Sequence, residues 1–239
     1  MVQKRLNQSI AEIIAELKKQ KNPKNIAGMV RFGISQKGTL GIPTPVLRKM
    51  AKEIGKNHQF ALELWKSGIH EARILAGFID DPKLITEQQM EDWVKDFDSW
   101  DVCDQVCGSS FEKTGELAWK KIDDWSSREE EFVKRTSFAL IACLAWHDKK
   151  ATDNQFEEIM PLIIREATDE RNFVRKAVNW ALRNIGKRNK TLNKIAIETA
   201  KKIQKTHSNS KSARWIAADA IRELESEAVQ KRLVDKEDK

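Results

Sequence analysis

Apolar side chains recur at every third and fourth position in one segment after another of this chain, and no run alternates in the β-branched manner of a strand. A chain written in that period can bury its apolar stripes only helix against helix, so the fold class is all-α. The spacing predicts helices over 6–21, 25–32, 45–55, 59–67, 70–79, 87–96, 100–112, 115–125, 129–146, 153–168, 172–187, 191–205 and 210–228. Boundary chemistry supports these limits. Thr44 before Pro45 and Thr86 before Glu87 stand at N-cap positions, Asp81-Pro82 is a stop, and Ser-Asn-Ser near 208 is a loop.

From about residue 58 the helices come in pairs of roughly 30 to 40 residues, each member with its own apolar stripe. A pair so striped cannot bury both faces alone, and stacking such pairs is the solution of HEAT-like repeats. The expected architecture is a helical repeat solenoid with a concave basic groove, a compact bundle being the alternative for repeats this degenerate. One domain over 1–239 is expected, with a helical cap at 1–57, stacked pairs over 58–228 and a charged tail at 229–239.

Charge narrows the function. The chain carries a net +7, yet residues 171–206 hold eleven Lys and Arg against the single acid Glu198, so this span is +10 and the rest −3. A one-signed block on a balanced protein is the electrostatic footprint of a polyanion, because each neutralised phosphate releases counterions. Solvated lysines are the plainer reading. No apolar run approaches the roughly 18 residues of a membrane span, and the Met-Val-Gln-Lys-Arg start lacks a signal-peptide pattern, so a cytoplasmic protein is expected. Cys103, Cys107 and Cys143 lie on apolar helix faces without metal-ligand spacing, as buried thiols do.

Four residues fit packing less well than their neighbours. Trp100 and Asp104 stand four apart, hence on one helix face one turn apart, with Asp104 at the margin of an apolar arc. A carboxylate half withdrawn from water can stabilise a transient cation or orient a water; equally it can cap a neighbouring helix or pair with a lysine while Trp100 serves as core. Trp180 lies off the apolar face of its helix among Lys176, Arg183 and Lys187, positioned to pack on a base or on the next repeat. Arg135 sits where its helix is apolar almost all round, so it needs an anion, from a ligand or from an internal carboxylate.

These residues are set within motifs that resemble the AlkD-like DNA alkylation repair family, from Gly41 to about Arg222. Gly41-Ile-Pro-Thr-Pro45 with Leu47-Arg48 resembles the family's GIxTP segment, Glu63-Leu64-Trp65 its ELW, and Ser99-Trp-Asp-Val-Cys-Asp104 its WDxxD. Lys134-Arg135 resembles the family's mid-chain arginine, and Lys176-Ala-Val-Asn-Trp-Ala-Leu-Arg183 its KAIGWxLR. The resemblance implies a HEAT-like glycosylase that removes N3- or N7-alkylated purines from duplex DNA, acting as a monomer without metal or other cofactor and without a membrane. By resemblance Asp104 is the catalytic carboxylate, Trp100 and Trp180 pack on the lesion-bearing nucleotide, and Arg135 binds backbone. Arg48, Arg175, Lys176, Arg183 and Lys187 are the cations assigned to phosphates. The family is thought to grip the backbone and leave the lesion stacked, so no deep pocket is expected. One departure stands out: Ser99 replaces the first of the archetype's paired tryptophans. A non-catalytic module for distorted or branched DNA is the alternative, and a solenoid for protein partners a third that the +10 block opposes.

Overall fold

The computed structural model describes residues 8–237, and those residues are all-α with no strand. In chain order the helices are α1 (Ile10–Lys19), α2 (Pro23–Val30), α3 (Thr44–Ile54), α4 (His58–Lys66), α5 (His70–Ile79), α6 (Glu87–Lys95), α7 (Trp100–Ser109) and α8 (Glu116–Ser126), with a 3-10 turn at Phe111–Thr114. They continue as α9 (Glu131–His147), α10 (Asp153–Glu157), α11 (Met160–Glu166), α12 (Asn172–Gly186), α13 (Lys190–Thr206), α14 (Lys211–Leu224) and α15 (Glu227–Glu237). The chain divides into two compact units, Met1–Ala118 and Trp119–Lys239.

Local chemistry sets the ends. Ser9 and Glu12 form a capping box, Asn22, Asn57 and Thr86 each accept the N–H three residues on, and Pro23 and Pro161 occupy first-turn positions where a missing donor costs nothing. Three expectations are corrected. The helix expected over 153–168 is two, because the chain turns at residues 158–159 before Pro161 restarts it. The helix expected over 100–112 stops at Ser109 and tightens into the 3-10 turn. The segment read as a charged tail from 229 lies in α15, which buries Val229 and Leu233. The start of the expected 6–21 helix and residues 238–239 lie outside the described residues.

In the first unit α5 is the centre, packed by α3, α4 and α7 and buried on nearly every side. Gly77 permits this: a Cβ there would sit 3.0 Å from Val106 Cγ2 of α7. An aromatic cluster closes the other side, with Trp65 and Trp93 stacked 3.9 Å apart and Phe97 edge-on to Trp65. In the second unit α9 is buried from Val133 to Ala145 against α12, and α12 in turn packs on α13 and α14. Asparagines fix the register: Asn184 Nδ2 donates to the Ala142 carbonyl at 3.0 Å, and Asn193 Nδ2 to that of Gly186 at 2.9 Å. All three cysteines are buried, and no helix is long and apolar enough to cross a membrane among the described residues.

Candidate functional site

In the first unit the candidate residues gather where α7 begins. Ser99 is the extended residue before the helix, and Trp100 opens it. Val102, Cys103, Val106 and Cys107 turn inward, and Trp100 and Asp104 stand half-buried at the edge of that arc, one turn apart as their spacing requires. The indole is oriented by its own donor, since Trp100 Nε1 donates to the Phe32 carbonyl at 3.0 Å. Arg48, exposed on α3, reaches α7 as well: Nη2 donates to Gln105 Oε1 at 2.8 Å while the guanidinium lies 4.6 Å from the centre of the Phe78 ring.

Behind Trp100 is a second layer that the sequence did not single out. His70 Nε2 and Asp101 Oδ2 lie 2.8 Å apart, with the histidine side chain 1% exposed. Burial opposes charge on His70, but the hydrogen bond and negative charge of Asp101 overcome it and raise its pKa above the ordinary value. Next in sequence, Glu71 is fully buried and accepts the N–H groups of Leu40 (2.8 Å), Gly41 (2.6 Å) and Ile42 (3.2 Å). Three successive amides converge on it because Gly41 adopts φ +78°, and a Cβ at Gly41 would lie 2.5 Å from the Asn22 carbonyl. The Gly41-Ile-Pro-Thr-Pro45 segment is thus a clamp on α5. With α2 and α7 it encloses an open cavity of about 660 Å³ that reaches Trp100 and Asp101, where no pocket was expected. A signal for this layer was present: two polar residues, His70 and Glu71, open a helix that is apolar from Ile74 through Ile79.

In the second unit Arg135 is 5% exposed, and its Nη1 donates to the Phe173 carbonyl at 2.6 Å. Beside it Lys134 is buried against Glu166 at 2.6 Å and Asp169 at 3.6 Å. Trp180 is half-buried on α12, with Lys176 exposed one turn earlier. The two cations one and two turns later are less open than their spacing suggested. Arg183 pairs with Glu223 and lies 3.6 Å from Asp219, and Lys187 Nζ is 2.7 Å from Glu223. Although burial works against the Glu223 charge, these two partners hold its carboxyl below the usual range. Arg175 is set over Trp215 at 5.3 Å, an exposed indole outside the motifs. Among the described residues no three His, Cys, Asp or Glu side chains cluster as metal ligands would.

Residues 13–224 match the family model of DNA alkylation repair enzymes. Among solved structures, the chain is similar to a protein from a new family related to the HEAT-like repeat DNA glycosylases with affinity for branched DNA structures. That likeness has a TM-score of 0.70 at 20% identity, covers 81% of this chain and 83% of that one, and shows a HEAT-like repeat fold. A designed armadillo repeat protein in complex with the peptide (KR)4 aligns at 15% identity over 80% of this chain and 89% of its own, with a TM-score of 0.35. No curated protein matches the chain.

Proposed function

This chain belongs to the DNA alkylation repair enzyme family, and we propose that it is a glycosylase hydrolysing the N-glycosidic bond of N3- or N7-alkylated purines in duplex DNA. The observation that carries the reading is the half-buried carboxylate of Asp104 one turn from the half-buried, oriented indole of Trp100. Alkylation at those ring nitrogens leaves the base positively charged, so it departs with little acid assistance. What remains is to stabilise the oxocarbenium-like sugar and to supply water. Asp104 provides the negative charge and accepts a proton from the attacking water; the π face of Trp100 adds up to about 2 kcal/mol for a desolvated cation. In the second unit we assign Trp180 to a nucleotide, Arg135 to the backbone, and Lys176 and Arg175 to phosphates. Arg183 and Lys187 would have to exchange Glu223 for phosphate, so we assign them a smaller share.

The test is release of 7-methylguanine or 3-methyladenine from methylated duplex DNA, identified by mass. Release by the wild-type protein and its loss in Asp104→Asn, with DNA binding retained, is the expected result. Unchanged release in that variant removes Asp104 from its role. A second reading, binding of branched DNA without base release, draws on the affinity of the structural neighbour. It predicts tight, salt-sensitive binding to a branched junction and no free base from any methylated substrate.

A further inference from the structure

Residues outside the 171–206 block sum to −3, yet the first unit folds four cations into one cleft. Arg48, Lys52, Lys56 and Lys113 line an open space of about 490 Å³ where the C-terminal ends of α3, α5 and α7 meet, and no Asp or Glu is among the described residues of its wall. Neutral groups hold three of them in place. Arg48 Nη2 donates to Gln105 Oε1 at 2.8 Å with its guanidinium over Phe78, Lys56 Nζ donates to the carbonyls of Phe78 (3.1 Å) and Asp80 (2.7 Å), and Lys113 Nζ to that of Ser109 (2.9 Å). Phe78 and Ser109 lie in the last turns of their helices, where free carbonyls favour a cation. Such caps orient a side chain and leave its full charge standing, whereas Glu223 answers Arg183 and Lys187 in the second unit. The cations also oppose one another. Burial first, and then the charge of Lys113, hold the Lys56 pKa below the usual lysine value against the pull of Asp80 and Asp81. Asp80 is itself engaged by His58 and Gln89. Like charges fixed side by side by neutral groups cost free energy that an anion shared among them lowers.

We propose that this cleft binds the sugar–phosphate backbone of DNA, its four cations sharing one or two phosphates of the strand that passes α7. Backbone is what the wall selects: its one ring, Phe78, lies under Arg48, so the cleft offers charge and no face for a base. Its position suits the same ligand. Ser109 stands five residues beyond Asp104 on α7, an advance of about 7.5 Å, or roughly two base steps of a duplex. A strand that brings a glycosidic bond to Asp104 thus carries a nearby phosphate within reach of the cleft, and every base can stay stacked. The inference rests on the DNA reading above. It gives the first unit its own hold on the backbone, built from residues that lie too far apart in the sequence to form a charge run.

The experiment is fluorescence anisotropy of the full-length protein on an undamaged, end-labelled DNA duplex, repeated at salt concentrations from about 50 to 200 mM. Lys52→Gln combined with Lys113→Gln should lower the slope of log K against log salt by about 0.9 for each phosphate lost, about 0.9–1.8 in all. Both side chains are exposed, so the melting temperature should move by no more than about 2 °C. Lys52→Arg combined with Lys113→Arg, which keeps the charge, should retain the wild-type slope. Lys66→Gln removes an exposed lysine of α4 outside the cleft and should leave the slope unchanged. A slope indifferent to the double glutamine variant, or lowered as much by Lys66→Gln, overturns the proposal. The readout involves no base release, so the two readings fail separately. Base release by a protein whose slope ignores the cleft sinks this inference alone, and a cleft-dependent slope without base release sinks the catalytic reading alone. No affinity for duplex DNA at about 50 mM salt sinks both.

Discussion

Replacing Glu71 by Gln tests whether the clamp on the 40–42 segment is what shapes the first unit. In the wild-type protein Oε1 accepts from Gly41 and Ile42, and Oε2 from Leu40, all without exposed surface. In Glu71→Gln one of these oxygens becomes an NH2 group. Keeping the amide oxygen on Gly41 and Ile42 turns a donor toward the Leu40 N–H, and an unsatisfied buried donor costs about 1–3 kcal/mol. The two surviving bonds lose their charge and about 1 kcal/mol each. The total is about 3–5 kcal/mol, a large share of the roughly 5–15 kcal/mol that holds a domain folded. At about 2–4 °C per kcal/mol for a chain of this size, the melting temperature should fall by about 6–20 °C, followed by circular dichroism at 222 nm. A drop of less than about 2 °C would mean the three amides find acceptors elsewhere, and the clamp argument fails.

The His70–Asp101 pair gives stability a pH dependence. Folding raises the His70 pKa above its ordinary value of 6.5, so the stabilisation is complete below that value and is lost as pH rises through the folded pKa. Urea midpoints should therefore decline on the alkaline side of pH 6.5, and His70→Gln should flatten that limb. Lys134→Met takes the lysine from Glu166 and Asp169, which keep Arg165 and Arg171; a loss of about 1.5–3 kcal/mol is expected in urea unfolding, and a loss under about 0.5 kcal/mol would show that the lysine adds nothing to the buried cluster. Lys176→Ala should lower the salt slope of DNA binding by about one phosphate's worth with stability unchanged, whereas Lys187→Ala, which strips a partner from Glu223, should act on stability more than on the slope.

The limits of reading the sequence show most clearly in the basic block. Counted from 171 to 206 it is +10, but the acids that answer it lie just outside that window. Asp169 takes Arg171 from two residues upstream, and Glu223 takes Arg183 and Lys187 from the next repeat. A linear window cannot see a partner one repeat away, and in a stacked fold that is where partners are. Helix identity was far more legible, because an apolar stripe is local: α5 matches the expected 70–79 at both ends. The break between α10 and α11 was hidden for the same reason, since Phe156, Ile159, Met160 and Ile163 keep their period across it. Trp100 and Asp104 were legible as a pair because four residues on a helix fix a face whatever the tertiary structure. The cavity beside them was not, being made by a loop, α2 and α5, which no helical period relates to α7.

Ser99 gives the departure from the family pattern a physical meaning. Its side chain faces the buried side of α7, with no exposed surface. Its Oγ lies 3.5 Å from His70 Nδ1 and donates to Asp98 at 3.3 Å. An indole at this position would occupy the space His70 needs in order to reach Asp101, so the small residue at 99 and the His70–Asp101 pair are one arrangement. Trp100 and Asp104 project about 100° and 140° around the helix from Ser99, at the edge of its buried arc. By the resemblance to the family's motif, serine in place of a tryptophan at 99 bears on the floor beneath α7, which holds a buried imidazole and carboxylate at the edge of the cavity, and a shift in specificity is expected there rather than at Asp104.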